Sequence, residues 1–340
     1  MINELVEKSK KMAEEYKKDP VLAARMDIAA QGQSPRFLII SPITRSSQDM
    51  QLLRMNMGDA FHATRVTGHP LLRPELSPTL FKGPASFNRD FPNQRGVIVT
   101  FEKDESVEVI RETIENISLH PDLSKLPIIA FQVDYDKGHA KLIAHGKGRN
   151  YEYENKLLAR IKVPGELDND LLILLCSDSR VSPPLSGKGL PLAIQTLGGY
   201  IPVFTGHEDE TAQLNRFFET WLASSNDVKQ VVIVAHGNFE GEGPSCGAGT
   251  ASLSPDSVEN PLLKPSIEEL DRVAREYELK PPGTPEERVK SLSKAIRANL
   301  LTYPAIADAQ SIFKLAIDDL LMDTVTNTLF QNEEFSKYPE

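Results

Sequence analysis

Cysteine is nearly absent: Cys176 and Cys246 are the only two in a chain of 340 residues. A secreted scaffold stapled by disulfides needs more than one pair, so that class is excluded. Basic clusters are missing too. Lysine and arginine number 38 against 48 aspartates and glutamates, a formal charge of −10. A protein that holds nucleic acid irrespective of sequence needs a basic face to displace counterions. Long apolar runs are also absent. Stretches such as Phe37–Ile40 and Leu171–Leu175 are strand-length, far short of the ~20 residues of a membrane span. The N-terminal stretch, MINELVEKSKKMAEEYKKD, is charged throughout and holds no apolar core of a secretory signal. These absences set the expectation of a cytoplasmic protein with no membrane or nucleic-acid partner.

What is present reads as a globular chain, 40% hydrophobic and 25% charged. Its length suits roughly two domains. Residues 2–30 read as two short helices broken at Asp19-Pro20, with Leu5, Met12 and Tyr16 at near-helical spacing. From Arg36 onward strands alternate with helices, which predicts an α/β fold with mainly parallel sheets. One pattern is written twice. RFLIISPITR (36–45) and LLILLCSDSR (171–180) are each an apolar strand, a polar turn and an arginine. Aligning Arg45 with Arg180 sets Ser41 opposite Cys176 and Ile43 opposite Asp178. GDAFHATRVTGH (58–69) and GLPLAIQTLGGYIPVFTGH (189–207) follow, both closing in Thr-Gly-His. A shared turn explains the recurrence of His69 and His207. Helical stretches come next, Ser106–Ile117 and Thr211–Ala223, then strands from Leu126 and Gln230. The expected organisation is N-terminal helices over 1–35, a first repeat over 36–155 and a second over 156–340. A hairpin is expected within 137–166, turning at Asp136-Lys-Gly138. Helices are expected over Ser266–Glu278, Pro285–Leu301 and Ala305–Leu321, and a frayed polar tail from Asn332.

Open α/β sheets place ligands beyond the carboxyl ends of their strands. Cys176 directly follows LLILL, and His236 directly follows QVVIVA, so both leave the same sheet edge. Cys246 lies in a glycine-rich loop, GNFEGEGPSCGAG, that can fold back toward that edge. Taken singly, a buried cysteine is ordinary packing. Together the three residues use every cysteine of the chain at one place. Two thiolates and an imidazole are the donors of a tetrahedral Zn2+ site with one open position, whereas Mg2+ or Ca2+ would call for carboxylates. Asp178 and Arg180 follow Cys176 closely, and a guanidinium fork suits a carboxylate. Glu242, also in the loop, reads as a solvated carboxylate.

At this point the chain resembles a family. CSDSRV (176–181) resembles the signature of the β-class carbonic anhydrases. QTLGG (195–199) is similar to that family's Arg-Asn-Ala-Gly motif, with Gln195 and Thr196 in place of the Arg and Asn. VVIVAHG with the later Cys-Gly resembles its zinc-binding strand and loop, and ERVKSLSKAIRANLLTYPAI (287–306) its late helices. The likeness covers about 170–310, and the repeat extends it to 36–150. The resemblance implies that Cys176, His236 and Cys246 hold Zn2+. It implies that Asp178 and Arg180 form the catalytic pair, and that hydroxide on the zinc hydrates carbon dioxide reversibly to bicarbonate. Two departures stand against the pattern. Nine residues separate His236 from Cys246, where the family has two. The first repeat has no cysteine, and its histidine position falls on Gln132 or His145. The family forms dimers, so the resemblance implies an intramolecular pseudo-dimer. One half keeps the site, the other walls the cleft, and homo-oligomers of such pseudo-dimers fit the same reading. Two alternatives stay open. One is hydrolysis of a related heterocumulene, carbon disulfide or carbonyl sulfide, and the other is a zinc-containing binding or scaffold protein without turnover.

Overall fold

The computed structural model of the chain describes residues 2–77, 79, 81, 89–91, 94–160, 163–240, 243–278 and 283–331. The tail expected to fray from Asn332 lies outside the described residues. Two helices come first, α1 (Ile2–Lys18) and α2 (Pro20–Gln31). Asp19 divides them. Its carboxylate accepts from the Val21 and Leu22 amides at 2.8 and 3.2 Å. Pro20 takes the first helical position, where its missing N–H is not needed.

The first sheet is built from β1 (Phe37–Pro42), β2 (Ala60–Arg65), β3 (Gly96–Glu102), β4 (Pro127–Asp134), β5 (His139–Lys147) and β6 (Asn150–Arg160), with helices α3 (Ser46–Leu52) and α4 (Val107–Leu119) between them. The strand order is β2-β1-β3-β4-β5-β6. The first four are parallel, because each crossover returns the chain to the same end of the sheet. Ile110, Ile114 and Ile117 of α4 recur at helical spacing and meet Leu38, Val97 and Ile128 in the core below. The last two strands turn back antiparallel, so the expected hairpin is in fact two, turning at Gly138 and Gly148 with φ 63° and 66°. The expected boundary at 155/156 falls inside β6, and the chain leaves the first sheet only after Arg160.

The second sheet holds β7 (Leu167–Cys176), β8 (Leu190–Thr196), β9 (Lys229–Gly237), β10 (Leu315–Asp323) and β11 (Leu329–Gln331), in the order β11-β10-β9-β7-β8. Its helices are α5 (Glu210–Ala223), α6 (Gly247–Ser252), α7 (Lys264–Arg275), α8 (Pro285–Leu300) and α9 (Pro304–Ser311). The helix expected over Ala305–Leu321 is corrected: α9 stops at Ser311 and β10 follows, parallel to β9. Aspartates disfavour strands. Here both are served by distant partners, Asp318 by Gln230 at 2.6 Å and Asp319 by Arg297 at 2.7 Å and Ser293 at 2.8 Å. No local pattern announces such partners. Helix α1 crosses to this sheet, burying Leu5 and Val6 against Leu171, Val232 and Leu320.

The two sheets match as β2-β1-β3-β4 and β8-β7-β9-β10. They meet along β2 and β8 through a reciprocal pair of bonds. The His62 amide donates to the Ser177 carbonyl at 3.1 Å, and the Ala193 amide to the Ile43 carbonyl at 3.3 Å. This pseudo-twofold corrects the expected alignment in two ways. First, the counterpart of β9 is β3, not β4, so neither Gln132 nor His145 stands at the histidine position. Second, Phe37 pairs with Gly96 as Leu171 pairs with Gln230. Carried to the strand ends, that register sets Pro42, not Ser41, at Cys176 and Glu102 at His236. The reason is the face each residue must occupy. Leu38 and Ile40 lie under α4, as Leu172 and Leu174 lie under α8 and α9. Pairing Ser41 with Cys176 would turn every side chain to the opposite face.

Candidate metal centre

Strands β7 and β9 are parallel neighbours, with Leu174 opposite Ile233. Their carboxyl ends therefore reach one edge. Cys176 closes β7 and His236 stands one residue from the end of β9. Cys246 caps α6, its Sγ accepting from the Gly249 amide at 3.5 Å. The Cys176 Sγ accepts from the Gly198 amide at 3.3 Å. All three side chains are buried, and their donor atoms lie within 4.8 Å of one another. Gly249 allows the approach: a Cβ there would sit 2.5 Å from Val289 Cγ1 of α8.

Arg180 solves the problem posed by the long loop. Its Nη1 and Nη2 donate to the carbonyls of Pro244 and Ser245 at 2.9 and 2.8 Å, which pins the chain just before Cys246. The same guanidinium grips Asp178, Nε to Oδ1 at 2.9 Å and Nη2 to Oδ2 at 2.6 Å. Both side chains are 1% exposed. Burial alone would raise the Asp178 carboxyl. The Arg180 fork outweighs burial and holds it below the usual range. Asp178 Oδ2 lies 3.9 Å from His236 Nε2.

The imidazole is set by a residue the sequence reading missed. His236 Nδ1 is 3.0 Å from Thr324 Oγ1. The Thr324 hydroxyl donates its hydrogen to the Gly237 carbonyl at 3.0 Å, so toward the ring it accepts. Nδ1 therefore carries the proton, and Nε2 keeps a free lone pair. That Nε2 is buried with no hydrogen-bond partner. Thr324 follows β10, which pairs Met322 with His236. Reading β10 as a helix hid it; a strand there would have pointed to it.

The two sulfurs tell the same story. Sharing a hydrogen bond with Cys246, Cys176 has its thiol pushed well up, while that bond pulls Cys246 down. Two adjacent buried sulfurs cannot both ionise without a cation. Two sulfurs and an imidazole with its lone pair directed inward fit Zn2+ by donor type and number. Ser177 and Ser179, which flank Asp178, and the Gln195 amide also hold buried polar atoms with no protein partner. Glu242 lies outside the described residues.

The other expected positions lie elsewhere. His145 faces Glu154 and Glu152 on the β5–β6 hairpin, at 3.0 and 3.5 Å. Gln132 donates to the Lys103 carbonyl at 2.9 Å. At the first half's counterpart of the metal cluster, Glu102 accepts from Thr44 at 2.5 Å and pairs with Arg45 at 3.2 Å.

No family model matches the chain, and no curated protein matches it. Solved structures do. The β-carbonic anhydrase CcaA is 24% identical over 47% of this chain and 71% of its own, with a TM-score of 0.37. A Coccomyxa β-carbonic anhydrase is 17% identical over 48% and 71%, TM-score 0.35. A tetrameric β-carbonic anhydrase of Sordaria macrospora is 18% identical over 47% and 79%, TM-score 0.35. The chain is similar to β-carbonic anhydrases. Among the described residues no helix is long and apolar enough to cross a membrane.

Proposed function

We propose that this chain is an enzyme that hydrates carbon dioxide reversibly to bicarbonate with the help of zinc held by Cys176, His236 and Cys246. The observation that carries the reading is the Asp178 carboxylate, locked by Arg180 beside three convergent metal donors. Zinc at such a site supplies a Lewis acid that lowers the pKa of water to about 7. Two thiolates and a neutral imidazole balance its charge. The protein's own groups then do the positioning. Ionised Asp178 can only accept a hydrogen bond, so it favours a nucleophile that still carries hydrogen and turns that oxygen's lone pair toward carbon dioxide. Arg180 acts twice, keeping Asp178 ionised and holding the Cys246 loop. Thr324 keeps the His236 lone pair on the metal side. The unpartnered groups of Ser177, Ser179 and Gln195 give the departing proton hydrogen-bonding company.

The test is stopped-flow carbon dioxide hydration by protein loaded with one zinc per chain. Hydration well above the buffer rate is expected. A protein that binds zinc stoichiometrically yet gives only the buffer rate would sink the reading. So would turnover of carbonyl sulfide in the absence of carbon dioxide hydration.

A further inference from the structure

A buried stretch of irregular chain needs partners for its backbone N–H and C=O groups. Beyond Cys176 the chain has left β7, yet Ser177 through Val181 are all buried. The Ser177 amide donates to the Thr196 carbonyl at 2.8 Å. The first half takes the Ser177 and Ser179 carbonyls through the His62 and Gly58 amides, at 3.1 and 2.7 Å. Asp178 accepts from the Arg180 amide on its carboxylate at 2.9 Å, and from the Val181 amide on its carbonyl at 3.3 Å. The Arg180 carbonyl and the Ser182 amide are met by one side chain. Asn327 Nδ2 donates to the first at 2.9 Å, and Asn327 Oδ1 accepts from the second at 2.9 Å.

That pattern is a strand's. In a parallel ladder a residue donates to the carbonyl before its neighbour and accepts from the amide after it. The Asn327 carboxamide does this around Val181. Its backbone has φ 56°, a left-handed conformation that asparagine tolerates better than most residues. The turn that holds it, between β10 and β11, is tied by Asp323. Asp323 Oδ1 accepts from the Val325 and Thr326 amides at 3.0 and 2.9 Å, and its carbonyl from the Asn327 amide at 2.9 Å. Asp323 Oδ2 accepts from the Phe239 and Glu240 amides, both at 3.0 Å, in the loop that leaves His236. Thr324, next in the turn, is the partner of the His236 ring. One turn thus reaches His236, its loop and the backbone of Arg180.

We propose that Asn327 is a positioning residue of the metal centre, acting through Arg180. Its clamp fixes the Arg180 main chain. From there the guanidinium reaches Asp178 on one side and the Pro244 and Ser245 carbonyls, just before Cys246, on the other. Without the clamp both the carboxylate and the Cys246 loop lose their register. The proposal rests on the zinc and carbon dioxide reading. A reaction of that kind is sensitive to such a loss, because a small misplacement set from a distance is enough to slow it.

The test uses zinc-loaded protein. Asn327→Gly removes the clamp and suits the positive φ, so the turn keeps its backbone. Asn327→Asp keeps the shape and the acceptor for Ser182 but, ionised, has no hydrogen to give the Arg180 carbonyl. Ser9→Ala is the control. Ser9 Oγ accepts from the Leu329 amide at 2.9 Å, so its loss loosens β11 without touching Arg180. Unfolding midpoints place the three variants on one stability scale. Zinc release to a chelator and carbon dioxide turnover are then compared. Both Asn327 variants should release zinc about 10–100-fold faster and lose about 10–100-fold in kcat, with the carbon dioxide KM unaltered. Ser9→Ala should change neither, whatever its midpoint. Zinc release at the wild-type rate in Asn327→Gly would overturn the proposal, as would equal losses in Ser9→Ala. Wild-type behaviour of Asn327→Asp would do the same, since the bond to Arg180 would then be idle. If the wild-type protein binds zinc without turnover, the enzyme reading alone is lost, and faster zinc release in the Asn327 variants would still support the clamp.

Discussion

The two halves of this chain share a strand order and differ in what they gather at the strand ends. The second half brings together two sulfurs and an imidazole, all three buried. The first half, at the same register, brings together Thr44, Arg45 and Glu102, with Glu102 accepting from the other two. Beside them Arg65 donates two bonds to Glu105, at 2.7 and 2.6 Å, and lies over the Phe101 ring. The first half fills this edge with ion pairs, and the second with three side chains of metal-ligand type. One fold edge can thus carry ion pairs or a set of metal-type donors, and the difference rests on a few side chains.

That contrast can be broken most sharply at its strongest point. Cys246→Ala should take bound zinc from one per chain to none and abolish turnover, read by elemental analysis and stopped-flow. Pro42→Cys with Glu102→His should fail to add a second zinc, because the first half has no third ligand to match Cys246. A second equivalent there would show that the first half can supply a third ligand after all. Next comes the buried pair of the first half. Arg65→Met leaves buried Glu105 with only the Gly68 and Glu102 amides for partners and should cost about 3–5 kcal/mol of stability in denaturant melts, with zinc content unaltered. Loss of zinc in that variant would mean the halves are not separable. A smaller effect is expected at Thr324. Thr324→Val should weaken zinc by about 10–100-fold in chelator competition, the usual cost of losing a partner that orients a ligand.

The smallest is a dependence on pH. Burial holds His62, at the junction of the halves, down to about 4 from 6.5. Unfolded, it takes a proton near 6.5; folded, it stays neutral until about 4. The unfolded state binds more protons in that window, so stability is lost as pH falls through it. Buried Asp49, raised to about 6, acts in the opposite sense, so the measurement is a difference. Wild type should lose about 1.4 kcal/mol per pH unit relative to His62→Gln between those limits. Parallel pH profiles would refute it.

Much of this was legible in the sequence, and the reason is local. The runs at β1, β7 and β9 are apolar on both faces and short, so they declare buried parallel strands. Cys176 and His236 stand directly after two of them, which fixes their edge. Cys246 was legible by scarcity, as the only other sulfur donor in a cysteine. What brings it home was not: the Arg180 bonds to Pro244 and Ser245 join residues far apart in the chain, and no spacing rule reports them. The repeat was legible as a repeat but not in register, since aligning arginines ignores which face each leucine must take. Strand β10 was hidden because Leu and Asp recur there at intervals that mimic a helix, and Thr324 was hidden with it.

The reciprocal bonds between β2 and β8 have a consequence beyond holding two sheets together. In a dimer of identical chains, every substitution appears on both sides of the axis, and dilution can part the subunits. Here the partners are tied in one chain. Their association is intramolecular, set by an effective concentration rather than by how much protein is present. No dilution separates one half from the other. A change that suits one side need not be tolerated on the other, so each half can be shaped on its own genetic ground.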